Sequence, residues 1–206
     1  MKSIIAIFIA LVVLLPTCPN AATAPVKMRP YTGIGILLLS VVPGVDGAKP
    51  EPLYLYEQPA ISRLGELNGG TVPPYDWIFG MSNSKLPLIV TSRKGNWLRV
   101  VYDDAGREAW LMPRRQGAFH PWDSFFKGQL GRLLPGLRKQ FYQLFQEPGK
   151  GELQTQVSKK SFKIIKFEED WALVMPDQNS LGWLRWRDDD GRLLIGLERI
   201  ISISKQ

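Results

Sequence analysis

The apolar positions of this chain cluster in short, strand-length runs separated by polar turns, and one such pattern occurs twice. Its first copy reads Gly95-Asn-Trp97-Leu-Arg-Val-Val-Tyr102, the turn Asp103-Asp-Ala-Gly106, then Arg107-Glu-Ala-Trp110-Leu-Met112. The second reads Glu169-Asp-Trp171-Ala-Leu-Val-Met175, the turn Pro176-Asp-Gln-Asn-Ser180, then Leu181-Gly-Trp183-Leu-Arg-Trp186. Tryptophan intervals of 13 and 12 residues suit two strands joined by a hairpin. Upstream, Leu55-Tyr-Glu-Gln-Pro59 matches Leu144-Phe-Gln-Glu-Pro148, and each leads on to Gly-Glu-Leu, at 65–67 and 151–153. The copies lie 73 or 74 residues apart at the tryptophans but 89 at the prolines, so the first carries an insertion, which Thr71 to Pro87 accommodates. Two further runs predict strands. Gly33 to Val42 is continuously apolar and closed by Pro43-Gly44, too short to span a bilayer and suited to burial on both faces. Leu53 to Tyr56 alternates, placing Tyr54 and Tyr56 on one face and Leu53 and Leu55 on the other.

Each copy resembles a bacterial SH3 domain: an apolar strand ending in a Pro turn, a Gly-Glu-Leu step, a Val/Ile-rich strand, then Trp-x-x-Val and Gly-Trp across a hairpin. The second copy has Gly182-Trp183 and the first Ala109-Trp110, at a position where a small residue lets strand backbones approach closely. The resemblance covers residues 52–112 and 141–200 and implies a mainly β chain of two tandem SH3-like β-barrels. A single larger β-sandwich with tryptophans at its hairpins is the alternative architecture. The expected organisation is a signal peptide over 1–24 and a first barrel over 25–112 that includes the N-terminal strand and the 71–87 insertion. A basic, partly helical connector over 113–140 and a second barrel over 141–206 follow.

At 206 residues, with 45% hydrophobic residues and seven tryptophans, the chain is long and apolar enough for one or two packed domains and is not of disordered composition. Its start has the pattern of an export signal: Met1-Lys2, an apolar stretch from Ile4 to Leu15, and the small-residue site Ala22-Thr-Ala24. Cleavage after Ala22 avoids a proline directly behind the scissile bond. The only cysteine, Cys18, stands in Leu15-Pro-Thr-Cys18, similar in shape to a lipobox but with Thr17 where Gly, Ala or Ser is usual, and is the candidate lipidation site. Location in the periplasm or at the cell surface is expected, with a lipid anchor if Cys18 is acylated. If cleavage falls at the alanines, the exported chain has no thiol or disulfide chemistry.

Charge is uneven along the chain. Residues 112–146 hold six basic and one acidic residue, against nine and eight over 25–111 and ten and ten over 147–206. Trp122, Phe126, Leu130, Leu133, Leu137, Phe141 and Leu144 add helical spacing, interrupted by Gly128, Gly131, Pro135 and Gly136, which predicts a short helix over about 121–133. Arg114, Arg115, Lys127, Arg132, Arg138 and Lys139 on its polar side are candidate contacts to an anionic surface, including peripheral contact with membrane. Export speaks against nucleic acid as the partner despite a pI near 9.6.

The insertion sets Tyr75, Trp77 and Phe79 behind vicinal prolines, a way of presenting aromatic rings from a loop, and with Tyr54 and Tyr56 these are the candidate ligand-binding residues. The same loop folded back as a cover is the competing arrangement. Catalytic chemistry has little to build on. His120 is the only histidine, so no histidine metal triad can form, nor a Cys-His pair once cleavage at the alanines removes Cys18, and Asp103-Asp104, Glu168-Glu-Asp170 and Asp188-Asp-Asp190 sit where turns are predicted. The expectation is a non-catalytic envelope protein without cofactor or metal, binding peptidoglycan peptide or glycan or a partner protein. The alternative is a structural or assembly subunit docked through its basic connector.

Overall fold

The computed structural model describes residues 28–40, 51–81, 84–157 and 161–198. The expected signal segment, with Cys18, lies outside them, as does the end of the first apolar run. The first sheet comprises β1 (Gly35–Ser40), β2 (Tyr54–Gln58), β3 (Ile61–Glu66), β4 (Lys85–Lys94), β5 (Trp97–Val101), β6 (Glu108–Leu111) and β7 (Gly117–Pro121). The second comprises β8 (Leu130–Leu133), β9 (Gln143–Glu147), β10 (Lys150–Gln156), β11 (Phe162–Glu168), β12 (Trp171–Asp177), β13 (Ser180–Arg185) and β14 (Ile195–Leu197). Among the described residues the strands pair antiparallel, in the order β3-β2-β6-β5-β4-β1-β7 in one sheet and β10-β9-β13-β12-β11-β8-β14 in the other. Adding seven to each strand number turns the first order into the second.

The correspondence extends to register. Leu98 faces Leu111 as Ala172 faces Leu184, and Tyr56 faces Trp110 as Phe145 faces Trp183. The ladder slips at the same place, between Val90 and Ser92 and between Ile164 and Lys166. Tyr56 meets Trp97 edge-on at 5.3 Å, and Phe145 meets Trp171 edge-on at 5.2 Å. Aromatic pairs of this geometry add about 0.5–1.5 kcal/mol beyond their burial. The insertion also falls in place. β3 and β4 are separated by residues 67–84 where β10 and β11 are separated only by 157–161, and Pro87 already belongs to β4.

β1 is covered on both faces, as its unbroken apolar run predicts. Leu37 and Leu39 enter a core of first-half residues with Leu88, Val90, Val100 and Leu111. Ile36 points the other way, into a larger core shared with Phe162, Ile164, Val174 and Leu184 of the second half. The two halves are therefore packed into each other.

Residues 113–140 differ from the connector expected of them. Gly117–Pro121 is strand β7, paired along β1, and Leu130–Leu133 is strand β8, paired with β11 and β14. Only Trp122–Phe126 forms a helix, α2, and Lys139–Tyr142 forms a single 3₁₀ turn. The helix expected over about 121–133 is confined to its first residues, and the apolar positions after it fall in separate elements. Trp122 and Phe126 are one buried helical face, Gly128 turns the chain at φ 78°, and Gly131 is pressed against Ile164 and Phe162, where a Cβ would lie 2.7 Å and 2.9 Å from their side chains. The N-terminal arm crosses between halves as well. Thr32 N–H donates to Gly191 O, Leu193 N–H donates to Pro30 O, and Ile34 N–H donates to Val90 O of β4.

Two glycines separate close packing from mere smallness. A Cβ on Gly196 of β14 would sit 2.3 Å from the Ile78 carbonyl oxygen of the first half, whereas on Gly182 it would meet only the Leu144 and Leu153 side chains, at 3.1 Å each. Gly196→Ala is expected to lower stability by about 2–3 kcal/mol, and Gly182→Ala by less than half as much, matching the alanine tolerated at Ala109. Urea unfolding of the two variants checks the order, and an equal loss at both contradicts it.

Candidate functional site

The β4–β5 hairpin turns at Gly95, whose φ of 59° places it in the left-handed region, and the Arg93 side chain folds over this turn with its Nε donating to Gly95 O at 3.0 Å. Past β6, Pro113 and Arg114 swing the chain outward, Arg114 at φ 48°, before Gln116 N–H closes the turn onto Pro113 O. The hairpin, this turn and β7 enclose a cleft of about 340 Å³. Leu98, Met112 and Phe119 give it apolar walls, and Arg93, Asn96 and Arg114 give it polar ones; among the described residues no acidic side chain lines it. The Arg93 guanidinium lies 5.7 Å from the Phe119 ring centre. Arg114 donates to a Glu51 carboxylate oxygen at 2.8 Å, and the Gln116 side-chain amide donates to Glu51 O at 2.7 Å.

The matched registers show what stands at the corresponding place in the second half. Phe167 replaces Arg93, Asp170 replaces Asn96, Trp186 replaces Pro113 and Arg187 replaces Arg114. There the position is packed. Trp186 is only 5% exposed, meets Phe167 edge-on at 5.2 Å, and its indole N–H donates to Glu169 O, while Arg187 pairs with Asp170. Phe167 and Trp186 lie against Phe126 and Trp122, at 5.8 Å and 6.3 Å between rings. One half closes this position with aromatic rings, and the other keeps it as a basic cleft.

The residues expected to bind ligand divide between surface and interior. Tyr75 and Phe79 are 7% and 2% exposed and sit in the shared core, so the insertion is a cover and its rings are not displayed. Asp76–Phe79 forms a short helix, α1, that lays Ile78 and Phe79 onto β14 and α2; Phe79 stacks on Trp122 at 5.9 Å. Burial of these apolar rings outweighs the display that the vicinal prolines suggest. Trp77 is half-buried, and its carbonyl accepts a hydrogen bond from Arg132. Tyr54 and Tyr56 are half-buried on β2, Tyr54 beneath the Arg63 guanidinium and Tyr56 against Trp97, and neither lines the cleft.

The six basic residues assigned to one surface do not share a site. Arg114 lines the cleft and Arg115 follows it, exposed. Arg132 is half-buried against Trp77 O, a bond between halves, and Lys127 is exposed after α2. Arg138 lines a second hollow of about 290 Å³ opposite Asp188, Asp189 and Asp190, with Lys139 beside it in sequence. In that hollow Arg29 pairs with Asp188 at 2.8 Å. Burial would raise the Asp188 carboxyl, but the Arg192 backbone N–H and the Arg29 guanidinium override it and hold the group below the usual carboxylate range. This contact stabilises the fold at neutral pH and weakens as acid protonates Asp188.

The cleft residues Arg93, Asn96 and Phe119 and the tethered Glu51 carry no motif of their own. Their signal in the sequence is a difference between the copies, Arg93 against Phe167 and Pro113 against Trp186, legible only when the repeats are aligned residue by residue. His120 lies half-buried in β7 opposite Ile36. Among the described residues no cluster of His, Cys, Asp and Glu is placed to hold a metal ion, and no helix is long and apolar enough to cross a membrane. No family model, no curated protein and no solved structure matches this chain.

Tyr75 offers a direct probe of the buried insertion. Burial, aided by the charge of Asp104, pushes its hydroxyl from 10.0 up to about 12. The folded state favours the neutral phenol, so its contribution is complete below pH 10 and lost as pH rises through about 12. Alkaline unfolding of the wild type is expected to steepen in that window and to flatten in Tyr75→Phe. Identical profiles would place Tyr75 in solvent.

Proposed function

We propose that this chain is an exported, non-catalytic binding protein of the bacterial cell envelope, built from two SH3-like barrels, of which the first carries the ligand site. Two sheets of one strand order, with the same edge-on aromatic pair in each, support a tandem arrangement. The observation that carries the binding role is the open cleft bounded by Arg93, Arg114 and Phe119, at the position the second half fills with Phe167 and Trp186. An apolar floor with a few convergent polar groups is the usual make-up of a ligand site. The floor supplies contact area and the guanidinium groups fix orientation, while the second half acts as scaffold. A non-catalytic role rests on the sequence, which pairs no nucleophile with a base around its single histidine.

The ligand class is peptidoglycan peptide or glycan, or a partner protein of the envelope. Docking of residues 113–140 on an anionic surface has less support, because their basic side chains are divided between two hollows and an internal bond. Met112→Trp places a large side chain in the cleft while leaving both sheets intact. The full chain is expected to be retained by purified cell wall or by immobilised envelope protein, and Met112→Trp to reduce that retention at least tenfold with little change in melting temperature. Absence of retention, or retention indifferent to Met112→Trp, would remove the cleft as the ligand site.

A further inference from the structure

The cleft has a built-in clue to its ligand. Glu51 approaches it from β2's leading segment and is held in two ways, its carboxylate by the Arg114 guanidinium and its main-chain carbonyl by the Gln116 amide. A charged side chain and a backbone carbonyl recognised together are what an extended peptide offers, and a glycan has no equivalent of that pairing. The hold is weak. Both side chains of the ion pair are open to water, at 63% and 70% exposure, a setting in which such pairs contribute little. Arg93, the other guanidinium of the cleft, donates its Nε–H to the Gly95 backbone and lies near the Phe119 ring. Two guanidinium groups and the Asn96 amide, with no carboxylate among the described wall residues, form a receptor for negative charge, and guanidinium binds carboxylate in a paired, directional geometry. Leu98, Met112 and Phe119 beside them suit an aliphatic side chain next to that charge.

We propose that the Arg93–Arg114 cleft binds an acidic, apolar segment of a partner protein in extended form, and that Glu51 holds Arg114 until such a segment displaces it. This rests on the binding role proposed above and assigns its ligand. The partner places one carboxylate between the two guanidinium groups and a neighbouring apolar side chain on the Phe119 floor. Glu51 acts as an intramolecular competitor that raises the affinity a partner needs.

Fluorescence polarisation of labelled acetyl-Glu-Leu-Glu-Leu-amide with the full chain tests this, with acetyl-Gln-Leu-Gln-Leu-amide as the neutral control. The acidic peptide is expected to bind at least tenfold more tightly than the neutral one at low salt, and the preference is expected to vanish in the double variant Arg93→Gln, Arg114→Gln. Glu51→Gln is expected to tighten acidic-peptide binding severalfold, and Lys150→Ala, on β10 of the second sheet, to leave it unchanged. Equal affinity for the two peptides, or a preference that survives loss of both arginines, overturns the assignment; an unchanged affinity in Glu51→Gln overturns the competitor role. Inorganic polyphosphate binding through the same arginines in place of the peptide also overturns it in favour of a phosphate polymer. If the acidic peptide fails while cell-wall retention still depends on Met112, the peptide assignment falls and the broader binding role stands. If retention ignores Met112 and the peptide fails as well, both fall.

Discussion

The packing of Trp122 between the halves is the contact on which the rest of this molecule depends. It begins α2 where β7 ends, and its ring touches material from every part of the chain. Phe79 of the insertion stacks on it at 5.9 Å, Phe126 of its own helix at 5.4 Å, and Trp186 of the second half leans against it at 6.3 Å. Its indole N–H, buried, donates to Thr32 O of the N-terminal arm at 2.7 Å. A buried donor without a partner costs about 1–3 kcal/mol, so this bond fixes where the arm can run as well as where the ring can sit. Removing the ring would open the shared core from four directions, a larger loss than the 3–5 kcal/mol usual for one buried aromatic truncated in place.

That central packing explains why two sheets of one topology have become unlike at one position. The second half turns its Phe167 and Trp186 toward Trp122 and Phe126, so both rings pack against the shared core and apolar residues are favoured there. The equivalent position of the first half is not part of that shared core, and Arg93 and Pro113 stand in place of the two rings. Large apolar side chains there would be left partly in water, whereas the exposed Arg93 guanidinium stays solvated near the Phe119 ring. Polarity at the cleft follows from its place outside the joint.

Much of the β architecture was legible in the sequence because strand periodicity and hairpin turns are local. The paired tryptophans, the strand over Gly35–Ser40 with two buried faces, the Asp103–Gly106 turn and an insertion before β4 all follow from short-range pattern. In residues 113–140 the short helix was placed correctly at its start but drawn too long, and β7 and β8 were not foreseen, because the helical spacing from Trp122 onward runs through α2, β8 and a 3₁₀ turn, and both strands form only through long-range pairing. The insertion posed a similar problem. Whether Tyr75 and Phe79 display their rings or bury them depends on a β14 surface more than a hundred residues away, which no local window contains. The cleft was missed for a third reason: arginine and asparagine at hairpin ends are ordinary surface residues, and only comparison with Phe167 and Asp170 makes them unusual.

The joint also limits how the halves can change independently. Gly196 lies so near the Ile78 carbonyl that β14 and α1 must shift together, and the N-terminal arm pairs with the second half before it enters the first. A substitution at this joint therefore acts on both halves at once, whereas one at the cleft acts on the first alone. Since packed interiors tolerate little change in volume, the positions that can change without loss of the fold include the open end of the first half. Arg93, Asn96 and Arg114 belong to that permissive set. Trp122, Phe126 and Trp186 do not, and the difference arises from which end of each sheet the shared core covers.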